Sequence, residues 1–155
     1  MLDLIARLVS IPSVTGNFEA IDTCFCVCRD FLCRSPGIHT EEIIRNGYKT
    51  IIFSNSNDGS LKFDVVSPCH IDVVPADSYK LTRDTDAGKI FGRGVFDMKS
   101  FIASSLINLK SISSEGRKIK YAAVITSDEE IGGNNGLGYL VNTLALESRI
   151  VLDSD

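Results

Sequence analysis

The sequence predicts an α/β fold: a mixed β-sheet covered by helices on both faces. Three features carry that expectation. Strand-like apolar runs alternate with helix-like stretches through the second half of the chain, which is the pattern of parallel strands joined by right-handed crossovers. Asn46-Gly47 lies between two strand-like runs and tolerates positive φ at both positions, which marks an antiparallel hairpin. The 155 residues, 44% hydrophobic and 23% charged, suffice for one domain with a core.

The elements follow in order. Leu2, Ile5, Leu8 and Val9 recur at helical spacing, with Asp3 in the first turn, so residues 1–9 read as a helix. Ile11-Pro12-Ser13-Val14-Thr15-Gly16-Asn17 breaks it. A second helix is expected over 18–32, with Ile21, Phe25, Cys28 and Leu32 on one stripe, and Pro36-Gly37 beyond its end. Residues 40–45 and 48–54 form the predicted hairpin, and 61–67 the next strand, which delivers His70. Residues 77–88 are polar and rich in turn formers, so they read as a surface segment. Asp97 reads as the N-cap of a helix running to about residue 112. Residues 119–126 are a buried strand, 137–146 a helix, and 149–155 a last strand with carboxylates at its end.

Composition excludes several function classes. A net charge of −4 with no Lys/Arg cluster argues against nucleic-acid binding. No apolar run approaches membrane-spanning length. Met1-Leu2-Asp3 lacks the basic start of a signal peptide, so a cytoplasmic protein is expected. The five cysteines are Cys24, Cys26, Cys28, Cys33 and Cys69, an odd number, which argues against a disulfide framework. The expected helix puts Cys24 and Cys28 on one face, as small buried residues rather than metal ligands.

Chemistry concentrates at predicted strand ends. His70, Asp97, Glu129, Glu130 and Asp153 each lie just past a strand or at a helix start, where ligands bind in open α/β sheets. His70 and Asp72 are spaced as a metal-binding imidazole and the carboxylate that orients it. One imidazole and several carboxylates make a nitrogen/oxygen site suited to zinc, manganese or cobalt. Of two adjacent glutamates, one can bind metal while the other moves a proton. The plainer alternatives are a helix cap at Asp97 and a solvated acidic turn at Asp128-Glu129-Glu130. A serine hydrolase would need a Gly-X-Ser-X-Gly elbow, which is absent, as are phosphate-binding and dinucleotide-binding glycine motifs. His39 reads as a surface histidine.

Four stretches resemble the motifs of the M20 metallopeptidase family, in the family's order. They are Ile11-Pro12-Ser13-Val14-Thr15-Gly16, Cys69-His70-Ile71-Asp72-Val73-Val74-Pro75, Gly92-Arg93-Gly94-Val95-Phe96-Asp97-Met98-Lys99-Ser100 and Thr126-Ser127-Asp128-Glu129-Glu130-Ile131-Gly132-Gly133. Cys69 and Ser100 stand where the family has glycines. The resemblance implies a three-layer α/β/α sandwich of the zinc-exopeptidase kind with a mixed, largely parallel sheet. It implies that His70 binds one metal, oriented by Asp72; that Asp97 bridges two metals; that Glu129 is the general base; and that Glu130 binds the second metal. Asp153 would complete the first metal's ligands, with Asp155 as the alternative.

Family members are more than twice as long, so residues 1–155 are expected to be the N-terminal portion of a catalytic domain. The lid or dimerisation domain, and the later segment that supplies a last histidine, would lie outside it. The implied activity is hydrolysis of an amide bond in an N-acyl amino acid or short peptide by metal-activated water, with one or two zinc ions (or cobalt or manganese). The alternative is a catalytically incomplete fragment with at most partial metal binding. The expected partner is a small N-acyl amino acid or peptide substrate, with homo-oligomerisation possible and neither nucleic acid nor membrane involved.

Overall fold

The computed structural model describes residues 1–154. Helix α1 (Leu2–Val9) buries Leu4, Ile5, Leu8 and Val9. Helix α2 (Phe18–Leu32) starts where the Asn17 side chain accepts the Ala20 N–H at 3.3 Å, supplying one of the partners a first helical turn lacks. It buries Ile21, Cys24, Phe25, Cys28 and Leu32, while Cys26 faces outward, as a period of 3.6 requires. All five cysteines are free thiols.

Strands β1 (His39–Arg45) and β2 (Tyr48–Ser54) pair antiparallel around Asn46 and Gly47, both at positive φ. Strand β3 (Lys62–His70) follows, then a small exposed ribbon of β4 (Thr82–Asp84) and β5 (Lys89–Phe91), then helix α3 (Ser100–Ser114), strand β6 (Tyr121–Thr126), helix α4 (Leu137–Asn142) and strand β7 (Glu147–Val151). The main sheet has the order β1-β2-β6-β3-β7. Its β1-β2 and β2-β6 pairs are antiparallel, and its β6-β3 and β3-β7 pairs are parallel.

Alternation along the strands divides the core. Ile51, Phe53, Tyr121, Ala123 and Ile125 pack with α1, α2 and α3 on one face. Ile52, Ala122 and Val124 pack with Leu140 of α4 on the other. The layers are therefore helix, sheet, helix, and the fold is the α/β sandwich that the sequence predicts.

Four local expectations are corrected. The predicted strand 61–67 runs on to His70 despite Pro68. Val66 accepts an N–H from Leu152, so alternation turns the Pro68 nitrogen toward the same side. Pairing with β7 ends at Val66–Val151, just before the missing N–H would matter, while pairing with β6 continues to His70–Thr126. Asp97 is not the N-cap of α3. The helix starts at Ser100 after a wide turn, Val95–Lys99, and the Asp97 carboxylate goes to His70. Helix 137–146 stops at Asn142, because Ala145 takes φ +56° and the chain doubles back, with the Leu146 N–H on the Leu140 carbonyl. The last strand, expected over 149–155, spans Glu147–Val151. Residues 77–88 lie on the surface as expected and contribute β4 to the small, mostly exposed ribbon.

Candidate functional site

The chain path opens a crevice at the carboxyl ends of two neighbouring strands. From β3 the chain leaves to α3 on one face; from the adjacent β6 it leaves to α4 on the other. Such a divergence is where open α/β sheets place ligands. His70 is the last residue of β3, and a short 3-10 turn, Glu129–Ile131, follows β6. Beside them lies a cavity of about 430 Å³ lined by His70, Met98, Glu129, Leu137, Val141 and Asp153 among others.

His70 is 1% exposed and held from both ring nitrogens. Nδ1 lies 2.9 Å from the Asp72 carbonyl and 3.5 Å from its Oδ1. Nε2 lies 2.7 Å from Asp97 Oδ1 and 3.7 Å from Glu129 Oε2. Burial alone would lower the His70 pKa, but hydrogen bonds and charge from Asp72 and Asp97 outweigh it and raise it to about 9. Without metal, the ring is therefore an imidazolium at neutral pH.

Asp72 is fully buried and ties three segments together. Its Oδ1 accepts the Glu129 N–H at 3.3 Å, and its Oδ2 accepts the Thr15 hydroxyl at 2.8 Å and the Glu130 N–H at 3.2 Å. Burial pushes its carboxyl pKa up, yet the hydrogen bonds from His70 and Thr15 prevail and hold it below the usual range. Asp72 thus sets the imidazole and also fixes the backbone that carries both glutamates.

The remaining predicted residues are gathered unequally. Asp97 and Glu129 are half exposed and turn their carboxylates toward His70. Glu130 Oε1 accepts the Val74 N–H at 3.2 Å instead. Asp153 lines the cavity and raises the pKa of Cys69 through its charge, though burial is the main cause that pushes that thiol up to about 12. Cys69 is buried against Ser105 and stays a neutral thiol. Asp155 lies outside the described residues. His39 is exposed on β1, away from the site.

The donor chemistry fits a divalent cation, since an imidazole faces carboxylates in a crevice. The spacing is that of a protonated site. Two ligands of one metal, each ~2.1 Å from it, stand roughly 3 Å or more apart, whereas His70 Nε2 and Asp97 Oδ1 are 2.7 Å apart and share a proton. Accordingly, among the described residues no group of three or more His, Cys, Asp or Glu is arranged to hold a metal ion.

Thr15 and Lys99 lie within the motifs and carry structural roles that the motifs do not assign. The signal was a polar residue in each of two loops that both lead to the site. Lys99 is fully buried, its Nζ donating to the Leu8 and Ile11 carbonyls at 2.8 and 3.0 Å. Asp128, also buried, accepts the Asn135 and Gly136 N–H groups and shapes the glycine-rich turn after Glu130.

Known proteins resemble this chain in sequence and in fold. The chain is 31% identical over 147 residues to succinyl-diaminopimelate desuccinylase of Rickettsia akari, an alignment covering 86% of this chain and 36% of that protein. It is 36% identical over 90 residues to the enzyme of that name from Buchnera aphidicola subsp. Cinara cedri, covering 53% and 24%. The chain thus spans about a quarter to a third of these relatives. Human carnosine dipeptidase 1 superposes with a TM-score of 0.74 at 20% identity, over 99% of this chain and 38% of that one. The M20 family metallo-carboxypeptidase Sso-CP2 of Sulfolobus solfataricus gives 0.69 at 19%, over 99% and 36%. These two likenesses establish the fold. Residues 68–153, which hold the His70, Asp97 and Glu129 stretches, match peptidase family M20/M25/M40, and the chain belongs to that family.

Proposed function

We propose that this chain is the N-terminal portion of the catalytic domain of a cytoplasmic metal-dependent hydrolase, one that cleaves the amide bond of an N-acyl amino acid or short peptide. The observation that carries this reading is the buried His70 ring, oriented by Asp72 and aimed at the Asp97 and Glu129 carboxylates beside an open cavity. His70 and Asp153 would hold one metal, Asp97 would bridge to a second, and Glu130 would hold that second one after leaving the Val74 N–H. Zinc suits this nitrogen/oxygen set, as do cobalt and manganese. The bound metal would supply Lewis acidity, acidifying water and polarising the substrate carbonyl.

The chain's own residues do the rest. Asp72 keeps the His70 ring in one orientation and raises its basicity. Glu129 takes the proton of the attacking water and delivers it to the departing amine, leaving a carboxylate and a free amino group. Desuccinylase and dipeptidase relatives support an acyl amino acid or peptide as substrate. The free thiols are consistent with a reducing compartment.

A second reading is favoured by one observation: no three-donor group is assembled among the described residues. It holds that these residues alone bind metal only partially and turn nothing over. Assays of amine release from N-acetyl and N-succinyl amino acids and dipeptides, with zinc, cobalt or manganese, test the first reading in the complete protein and the second in residues 1–155, where turnover would overturn the second. Turnover that vanishes in Glu129→Ala supports the first. No turnover with any metal in the complete protein would overturn it.

A further inference from the structure

The opening loop is a structural brace whose purpose the proposed reaction leaves unexplained. Lys99 pins its start through the Leu8 and Ile11 carbonyls. The buried Ser13 hydroxyl donates to the Ile71 carbonyl at 2.7 Å. The Val73 N–H donates to the Ser13 carbonyl at 3.0 Å, and the Thr15 N–H to the Val73 carbonyl at 3.3 Å. Val14 and Val73 thereby form a one-rung parallel bridge. The loop thus runs beside residues 71–73 in fixed register and brings the Thr15 hydroxyl to 2.8 Å from Asp72 Oδ2. That is the shortest of the side-chain and backbone contacts made to the Asp72 carboxylate.

We infer that Thr15 is a positioning residue for the metal-binding histidine, acting through Asp72. The hydroxyl contacts neither His70 nor the cavity. It fixes the rotation of the Asp72 carboxylate, leaving Oδ1 to face the His70 Nδ1 side. A bond to an ionised acceptor is strong enough to do this, and groups that orient the ligands of a metal change its affinity by about 10–100-fold when removed. Geometry separates Thr15 from Ser13, whose hydroxyl donates to the Ile71 carbonyl and does not reach Asp72: Ser13 holds the loop, and Thr15 converts the loop's position into the carboxylate's orientation.

The inference rests on the proposed metal role of His70, so the test uses two readouts. In the complete protein, zinc affinity is measured by chelator competition for the parent, Thr15→Val and Thr15→Ser, with melting temperatures alongside. Thr15→Val keeps the shape without the hydroxyl and is expected to weaken zinc binding about tenfold and to melt lower, because a buried carboxylate loses a hydrogen bond, while Thr15→Ser restores both. The second readout is the ¹⁵N and proton resonance of His70 Nδ1 in metal-free protein, assigned with His70→Gln. Thr15→Val is expected to move it and Thr15→Ser to leave it in place. If the parent binds no zinc, the metal reading fails and the resonance alone decides. An unmoved resonance in Thr15→Val, or a parent-like zinc affinity in a zinc-binding protein, overturns the inference.

Discussion

Among the described residues, the two faces of the sheet are covered unequally. On the face covered by α1, α2 and α3, twenty-two of the described hydrophobic residues are buried in one cluster. On the face covered by α4 there are seven, and at the β7 edge Ile150, Val151 and Leu152 are 53%, 59% and 42% exposed. The site sits on the seam and inherits the difference. His70 and Asp72 are buried and hydrogen-bonded on all sides, anchored to the opening loop of the thick face. Glu129 lies on the segment leading to α4 and Asp153 just past β7, and both are exposed. Half of the site is set by packing, and the other half is left adjustable.

The largest way to break this comparison is at the adjustable half. Glu129→Ala is expected to lower turnover in the complete protein by about 10²–10⁴-fold while metal content and melting temperature stay unchanged. A normal rate would remove Glu129 as the base. Next, the same truncation is compared on the two faces. Leu106 and Leu140 are both fully buried, but a thinly covered site relaxes more easily. Leu106→Ala is expected to cost about 4–5 kcal/mol and Leu140→Ala about 2–3 kcal/mol, read by urea denaturation. Equal costs would erase the contrast between the faces.

Asp72→Ala is the fixed-half counterpart of the Glu129 variant. It strips partners from Thr15 and from the Glu129 and Glu130 amides. A loss of about 1–3 kcal/mol is expected, visible in the melting temperature, whereas a variant that melts like the parent would show that Asp72 organises nothing.

The fixed half also carries a pH dependence. The His70 pKa is raised from 6.5 to about 9 by its carboxylate partners in the metal-free chain. The stability this provides is complete below pH 6.5 and is lost as pH rises through 9. The metal-free melting temperature should therefore fall over that window, and His70→Gln should flatten the fall. An equally steep fall in His70→Gln would assign it to another group.

Legibility in the sequence followed the same division. Helix α2 was legible from its apolar stripe between the Pro12–Gly16 loop and Pro36-Gly37, and the β1-β2 hairpin because Asn46-Gly47 tolerates positive φ at both positions. The buried strand β6 was readable from composition. The Asp97 turn was not, because an aspartate ahead of an apolar periodic stretch looks like a helix cap, and only the tertiary fold brings His70 within reach to claim it. Helix α4 was overextended for a related reason: Leu144 and Leu146 continue an apolar pattern, but Leu146 fills the second core from beyond a chain reversal. At the site, His70 and Asp72 were legible as a local pair. The role of Thr15 was hidden by the 57 residues that separate it from Asp72.

The central claim is that His70 and its carboxylates form a metal end. The direct measurement is zinc per chain by elemental analysis of the purified 155-residue chain, dialysed against trace zinc, for the parent and His70→Ala. About one zinc per parent chain, lost in His70→Ala, is the predicted result. No zinc in the parent, or the same zinc content in His70→Ala, would contradict it.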